Sequence, residues 1–226
     1  MRILGLDTAT WRASVGVWCD GAVVAESVAP TRGNHAAILL PLIEEALRNA
    51  RCGLRDLDVV AVSSGPGSFT GLRVGVSVAK GLGLATGLAV VAVSTLEALA
   101  RTGADREGMI CAALDAHKGE VYAALFESRH GGWTRVSADA LLTLEALLPQ
   151  LPIPCLVVGS AVEPYGEELR NRLGHEVTLL GADAHRPCGG TVAALGWERW
   201  QSTGPADLAS LEPFYVRPPD AVVHSR

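Results

Sequence analysis

Three short clusters hold the side chains with which this chain could do chemistry. Asp7-Thr8-Ala9-Thr10 puts a carboxylate and two hydroxyls within four residues, at the end of an apolar run. A carboxylate beside hydroxyls can position a metal-bound phosphate; equally, an aspartate there can accept backbone hydrogen bonds within its own turn. The second cluster is Ser63-Ser64-Gly65-Pro66-Gly67-Ser68-Phe69-Thr70-Gly71-Leu72-Arg73-Val74-Gly75. Its glycines let backbone approach a ligand closely, and the helix that follows offers free N–H groups to an anion. The same residues suit a tight strand-to-helix connection packed through small residues, with Ser68 or Thr70 as the cap. No lysine-serine ending of a P-loop is present. The third cluster, Asp115-Ala116-His117-Lys118-Gly119-Glu120, reads either as a solvated turn or as a ligand contact.

Metal and nucleophile chemistry find less support. Leu39 stands one helical turn after His35, where a paired helical metal site needs a second imidazole. His117, His130, His175, His185 and His224 are scattered among turns. Ser63, Ser64 and Ser68 form no G-x-S-x-G elbow. Cys111 and Cys155 sit inside apolar runs, and the five cysteines, with Cys19, Cys52 and Cys188, contain no C-x-x-C pair. Reduced thiols, no catalytic residue and no metal ligand set are the expectation.

The elements that must position these clusters are legible. Residues 3–6, 14–18 and 23–26 read as strands, the last two joined by the hairpin dipeptide Asp20-Gly21. A helix over 35–50 carries Leu39, Leu42, Ile43, Ala46 and Leu47 along one side. The continuous apolar strand 57–62 leads into the glycine turn, a helix over 71–86 and a strand over 88–93. Ser94 with Glu97 forms a capping box for a helix ending at Ala100. The polar segment 101–108 is the domain boundary, dividing the chain into units 1–104 and 105–226. Beyond it come strands at 109–114, 121–126, 134–136 and 155–158, and helices at 138–148, 163–172 and 191–200. The second half partly repeats the first, and a mobile tail is expected beyond Pro219.

The helix over 71–86 has only Arg73 and Lys80 as charged residues, with Gly75, Ala79 and Gly83 at four-residue steps. A helix apolar nearly all round is buried, either by its own core or by a second subunit. If a subunit, a large charged residue at Gly75 or Ala79 should cost the complex and spare the monomer.

At 226 residues, 49% hydrophobic and only 5% aromatic, the chain can bury one or two cores without disulfides. A net charge of −5 does not broadly attract a phosphate backbone, so if RNA is involved another subunit supplies most of the contact. Asp7 closes the first apolar run too early for a signal peptide, and Arg73 and Lys80 interrupt the next, so no membrane span is expected and the protein is read as cytoplasmic.

Leu6-Asp7-Thr8-Ala9-Thr10, Asn34-His35 with Leu39-Leu40-Pro41, the whole run from Gly65 to Gly75, and Asp115-Ala116-His117-Lys118-Gly119-Glu120-Val121-Tyr122 together resemble the TsaB (YeaZ) family. The closing Glu212-Pro213-Phe214-Tyr215-Val216-Arg217-Pro218 is similar as well. The resemblance implies an α/β actin-like or sugar-kinase-like fold of two related domains. It implies an accessory, non-catalytic role in N6-threonylcarbamoylation of the adenosine beside the anticodon of tRNAs reading ANN codons. The partners implied are a TsaD-type transferase and a TsaE-type ATPase, with tRNA met mainly through the complex and a homodimer when the protein is alone. His35, Leu39, Leu42, Arg73, Val76, Ala79, Lys80 and Gly83 are carried over as the partner interface. Asp7, Thr8, Gly65 and Gly67 are carried over as vestiges of a nucleotide-facing site. No cofactor is expected to bind tightly to this chain alone, ATP and magnesium being left to the assembled complex. Ala9 stands where actin-like phosphate loops place glycine, which counts against an independent nucleotide-dependent kinase or carbamoyltransferase. Leu39 counts against a metallopeptidase.

Overall fold

The computed structural model describes residues 1–31, 33–103, 105–180 and 189–217. Cys188, His185, His224 and the tail beyond Pro219 lie outside the described residues. Two sheets are built on one plan. In the first, β1 (Arg2–Asp7), β2 (Arg12–Cys19) and β3 (Ala22–Pro30) run antiparallel, while β4 (Val59–Gly65) and β5 (Ala89–Ser94) continue parallel to β1, in the order β3-β2-β1-β4-β5. In the second, β6 (Gly108–Asp115), β7 (Glu120–Arg129) and β8 (Gly132–Arg135) form the antiparallel half, with β9 (Ala140–Thr143) also on β7. The parallel half is β10 (Cys155–Val158) and β11 (Val177–Leu179). The order β11-β10-β6-β7-β8 repeats that of the first sheet in reverse reading.

Local chemistry accounts for most boundaries. Asp20 and Gly21 both take positive φ, 45° and 101°, the twist that suits a two-residue hairpin between β2 and β3. Helix α1 (His35–Asn49) is capped by Asn34, whose Oδ1 accepts from Ala37 N at 3.3 Å. Helix α2 (Phe69–Thr86) starts where Ser68 Oγ accepts from Gly71 N at 3.2 Å and stops at Gly87, left-handed with φ 77°. Ser94 caps α3 (Thr95–Ala100) through Glu97 N at 3.3 Å, but the Glu97 carboxylate turns away to meet Arg199. A single helix over 138–148 does not form. Leu141 and Leu142 pair with β7 as β9, and only α4 (Leu144–Leu147) is helical, because the open edge of β7 satisfies the backbone of the first half.

Both faces of the first sheet are covered. On one, Leu4, Leu6, Val15, Val17, Val60 and Val62 pack against Leu39, Leu42 and Ala46 of α1 and Val76 and Ala79 of α2. On the other, Ile3, Val59, Ala61 and Val91 meet Val192, Ala193 and Leu195 of α6 (Gly189–Thr203). Each fully buried leucine or valine contributes roughly 1.5–3 kcal/mol. The second sheet packs against α4 and α5 (Val162–Leu173). Helix α6 therefore returns to the first sheet, so residues 189–203 belong by contact with 1–104 and not with the rest of a 105–226 unit. Glycines make that return close: a Cβ at Gly5 would lie 2.1 Å from Gly189 O, and one at Gly16 would lie 2.2 Å from Gly190 N. Ser14 Oγ and the Glu26 carboxylate accept from Gly189 N and Gly190 N, each at 3.0 Å, which satisfies the first turn of α6.

Two glycines of α2 should respond oppositely to alanine. A Cβ at Gly75 would lie 2.3 Å from Thr8 Oγ1, whereas nothing lies within 4 Å of one at Gly81. Gly75→Ala is expected to cost about 2–3 kcal/mol. Gly81→Ala is expected to add about 0.5–1 kcal/mol. Urea unfolding of the two variants checks both signs.

Candidate functional site

A cavity of about 1080 Å³ opens between the two sheets. The first sheet contributes the turn after β1 (Ala9, Thr10, Trp11) and the starts of α1 and α2 (His35, Ser68, Phe69). The second contributes Asp115 to His117 and the start of α5, and the closing segment adds Tyr215 and Arg217. Parallel strands end here and helices begin here, as in other open α/β sheets whose ligand sites lie at the strand carboxyl ends.

The first cluster is occupied by its own backbone. Asp7 is 6% exposed and its Oδ1 accepts from Ala9 N at 2.9 Å, the turn-internal role. Burial pushes its pKa above the usual carboxylate range. Thr8 is fully buried and its Oγ1 donates to Gly71 O at 2.7 Å. The glycine turn is filled likewise: Ser68 N donates to Ala9 O at 2.7 Å, and Phe214 N to Ser64 O at 2.7 Å. A Cβ at Gly67 would lie 2.4 Å from Ala9 O, and one at Gly65 would lie 2.2 Å from Phe214 O. Both glycines have positive φ, 157° and 134°, so a side chain is excluded by backbone and by space. Of Asp7, Thr8, Gly65 and Gly67, only Gly67 borders the cavity. The other three are packed behind its wall, where the close approach is made by the protein itself.

His35 is 5% exposed. Its Nε2 lies 2.9 Å from Thr10 O, so Nε2 carries the proton and donates, and the buried Nδ1 has no partner among the described residues. Leu39 is in the core. Among the described residues no group of three histidine, cysteine or acidic side chains could hold a metal ion. Cys155 is pushed up to about 11 by burial and Cys111 higher still, which leaves both thiols protonated and inert. The third cluster is a rigid turn, with His117 and Lys118 both at positive φ. The Asp115 carboxylate accepts from His117 N at 2.8 Å, and Asp115 N donates to Ser160 Oγ at 2.9 Å. Arg217, which sequence reasoning did not single out, donates to Ala116 O at 2.8 Å and pairs with Glu120.

Six of the eight residues carried over as a partner interface are turned inward. His35, Leu39, Leu42, Val76, Ala79 and Gly83 are buried against the chain's own first sheet and closing segment. Lys80 Nζ donates to Leu211 O at 3.1 Å. Arg73 is exposed, but its Nε donates to the Tyr215 hydroxyl at 3.1 Å and its guanidinium lies 4.0 Å from the centre of the Phe69 ring. A charged residue at Gly75 or Ala79 would thus break the monomer. The free faces of the two helices are the opposite ones: Ala37, Leu40, Pro41 and Glu44 on α1, and Arg73, Ser77, Gly81 and Leu84 on α2. Leu84 is 74% exposed and Leu40 53%.

Comparison with known proteins gives one consistent result. A family model described as TsaD, tRNA N6-adenosine threonylcarbamoyltransferase, matches residues 23–169. The tRNA threonylcarbamoyladenosine biosynthesis protein TsaB of Bacillus subtilis is 30% identical over 220 residues, covering 96% of this chain and 94% of that protein. The structure of YeaZ from Pseudomonas aeruginosa superposes with a TM-score of 0.79 at 27% identity, covering 95% of this chain and 99% of that one. A ROK hexokinase from Thermus thermophilus superposes at 0.52 with 17% identity, covering 88% and 99%; that likeness concerns the fold alone, and the architecture is of the actin-like, sugar-kinase-like class. A magnesium-bound nucleotide, which that class implies, is not fitted by the residues present at the β1 turn. The carboxylate is buried, the Thr8 hydroxyl is already bonded, and both glycine approaches are filled.

The burial of Asp7 gives a signed prediction. Its native pKa is raised above the unfolded value of about 3.9. The carboxyl therefore favours the fold fully below that pH, and this contribution is lost as pH rises through the native value. Asp7→Asn keeps an oxygen for Ala9 N and should raise the melting temperature at neutral pH, the gain vanishing in acid. A loss at neutral pH would mean that the ionised carboxylate is needed.

Proposed function

The chain belongs to the TsaB (YeaZ) family, and from that premise we propose that it is a non-catalytic, cytoplasmic subunit of the machinery that threonylcarbamoylates tRNA at N6 of the adenosine beside the anticodon in tRNAs reading ANN codons. The observation that carries this reading is the contrast between the two sides of its α1–α2 layer. Toward the cavity, the groups that could serve phosphate chemistry are spent on internal hydrogen bonds. Toward solvent, two neighbouring helices of 15 and 18 residues expose Ala37, Leu40, Pro41, Ser77, Gly81 and Leu84, with the charged Glu44 and Arg73 among them. That face extends over roughly 22 and 27 Å. A TsaD-type transferase docks there, helix against helix, and its active-site elements are ordered by the contact. The TsaE-type ATPase joins this pair. ATP, magnesium and tRNA are then held by the assembly, in keeping with the net charge of −5 on this chain. When the partner is missing, a second copy covers the same face.

Two measurements test the proposal. In a reaction reconstituted from tRNA, the transferase, the ATPase and the adenylate-forming enzyme, threonylcarbamoyl transfer should require this protein. Undiminished transfer in its absence would refute the accessory role. Leu84→Glu and Ser77→Arg, both on the free face, should each weaken the complex at least about tenfold, equivalent to about 1.4 kcal/mol. Native mass spectrometry reads the complex and thermal unfolding the fold; the melting temperature of the isolated protein should not move.

A further inference from the structure

Charged groups tie the two sheets together at two separate places. The first centres on α3, whose six residues are all buried. Ala98 packs with α6 and the first sheet, whereas Leu96, Leu99 and Ala100 pack with the second. The Glu97 side chain, 10% exposed, receives Arg199 of α6 at 2.8 Å and faces Arg135 of β8 at 3.5 Å. Arg135 also donates to Ser94 Oγ at the end of β5, 2.9 Å away, and pairs with Asp139. One helical turn beyond Glu97, Arg101 donates to Glu198 at 2.8 Å and lies 4.6 Å from the centre of the Trp133 ring. Residues 198 and 199 of α6, 97 and 101 around α3, and 133 and 135 of β8 thus form two parallel rungs. None of the six lines the cavity.

The second tie is at the cavity. The closing segment is held to the first sheet by Ala206 N on Val90 O at 2.8 Å and Phe214 N on Ser64 O at 2.7 Å. Its Arg217 then reaches the β6–β7 turn of the second sheet, at Ala116 O and Glu120.

We infer that these two braces hold the sheets at one separation, so that the cavity between them does not close over a ligand. A hinge that works concentrates its motion in a few residues and breaks few contacts. Here any opening would pull Arg135 from Glu97 and Ser94, leaving a carboxylate out of water with half its partners. The same motion would pull Arg217 from the facing turn. A closing motion meets α3, which lies outside the cavity lining and is packed against both sheets by side chains that cannot be compressed.

Spin labels at Glu45→Cys on α1 and Glu167→Cys on α5, with Cys19, Cys52 and Cys188 replaced by serine, report the separation by double electron–electron resonance. Diluted with excess unlabelled protein, so that spin pairs across a dimer do not contribute, the labelled protein should give one narrow distance distribution, unchanged by millimolar Mg-ATP. Arg135→Met combined with Arg217→Met should widen it at least twofold, and Arg217→Met alone should widen it less. Two distances in the parent, a shift on adding nucleotide, or a folded double variant that keeps the parent width would each overturn the inference. Should the double variant not fold, the parent distribution and Arg217→Met decide, since Arg217 lies outside the buried α3 packing.

Discussion

The turn after β1 is pressed against the first turns of α2 at backbone distance, and much of the molecule follows from that contact. Thr8 Oγ1 reaches Gly71 O, Ala9 O receives Ser68 N, and Gly75 leaves room for the Thr8 side chain. Glycine is required wherever the two segments touch, because a Cβ would have to occupy the space of a carbonyl or hydroxyl. The contact buries Asp7, closes the wall of the cavity, and fixes the rotation of α2 about its own axis.

That rotation separates the two functions a helix of this composition could have served. Val76, Ala79 and Gly83 are turned to the core, and Ser77, Gly81 and Leu84 to water. The closing segment then runs along the flank of α2, from Leu208 beside Gly83 to Tyr215 beside Arg73. A single helix thereby supports the cavity with its first turn, the core with one face and a free apolar surface with another. The cavity keeps the volume of a ligand site, while Asp7 Oδ1 and Thr8 Oγ1 behind its wall are satisfied by the chain itself, the state in which buried polar atoms cost least.

Duplication of the five-strand plan gives two sheets that would each need a helical layer on both faces. The molecule meets this need economically: α6 crosses back to cover the first sheet, and α3 is shared between the two. Sharing buries one carboxylate among arginines from both sides, and it makes the relative placement of the sheets part of the packed interior. Among the described residues no helix is long and apolar enough to cross a membrane.

Periodicity, turn chemistry and capping determined the elements by themselves. The β2–β3 hairpin, α1, the body of α2, and the strand-helix repeat of the second half are local patterns, each readable within about a dozen residues, whereas the choice of Ser68 over Thr70 as the cap of α2 came from the structure. So was the family, because its motifs are runs of neighbours. The segment 138–148 misled because a run rich in alanine and leucine suits a helix and a strand alike, and only the open edge of β7 chose between them. The side of α2 that faces the core was hidden for a related reason: a helix apolar nearly all round carries no contrast to orient it. What fills the glycine turn was hidden by distance along the chain, since Phe214 and Arg217 arrive from the far end, and α6 likewise. Sequence thus settled most of the segments and where side chains could not be tolerated; tertiary structure decided the rest and what stands in the space they leave, because that depends on contacts between residues no local pattern links.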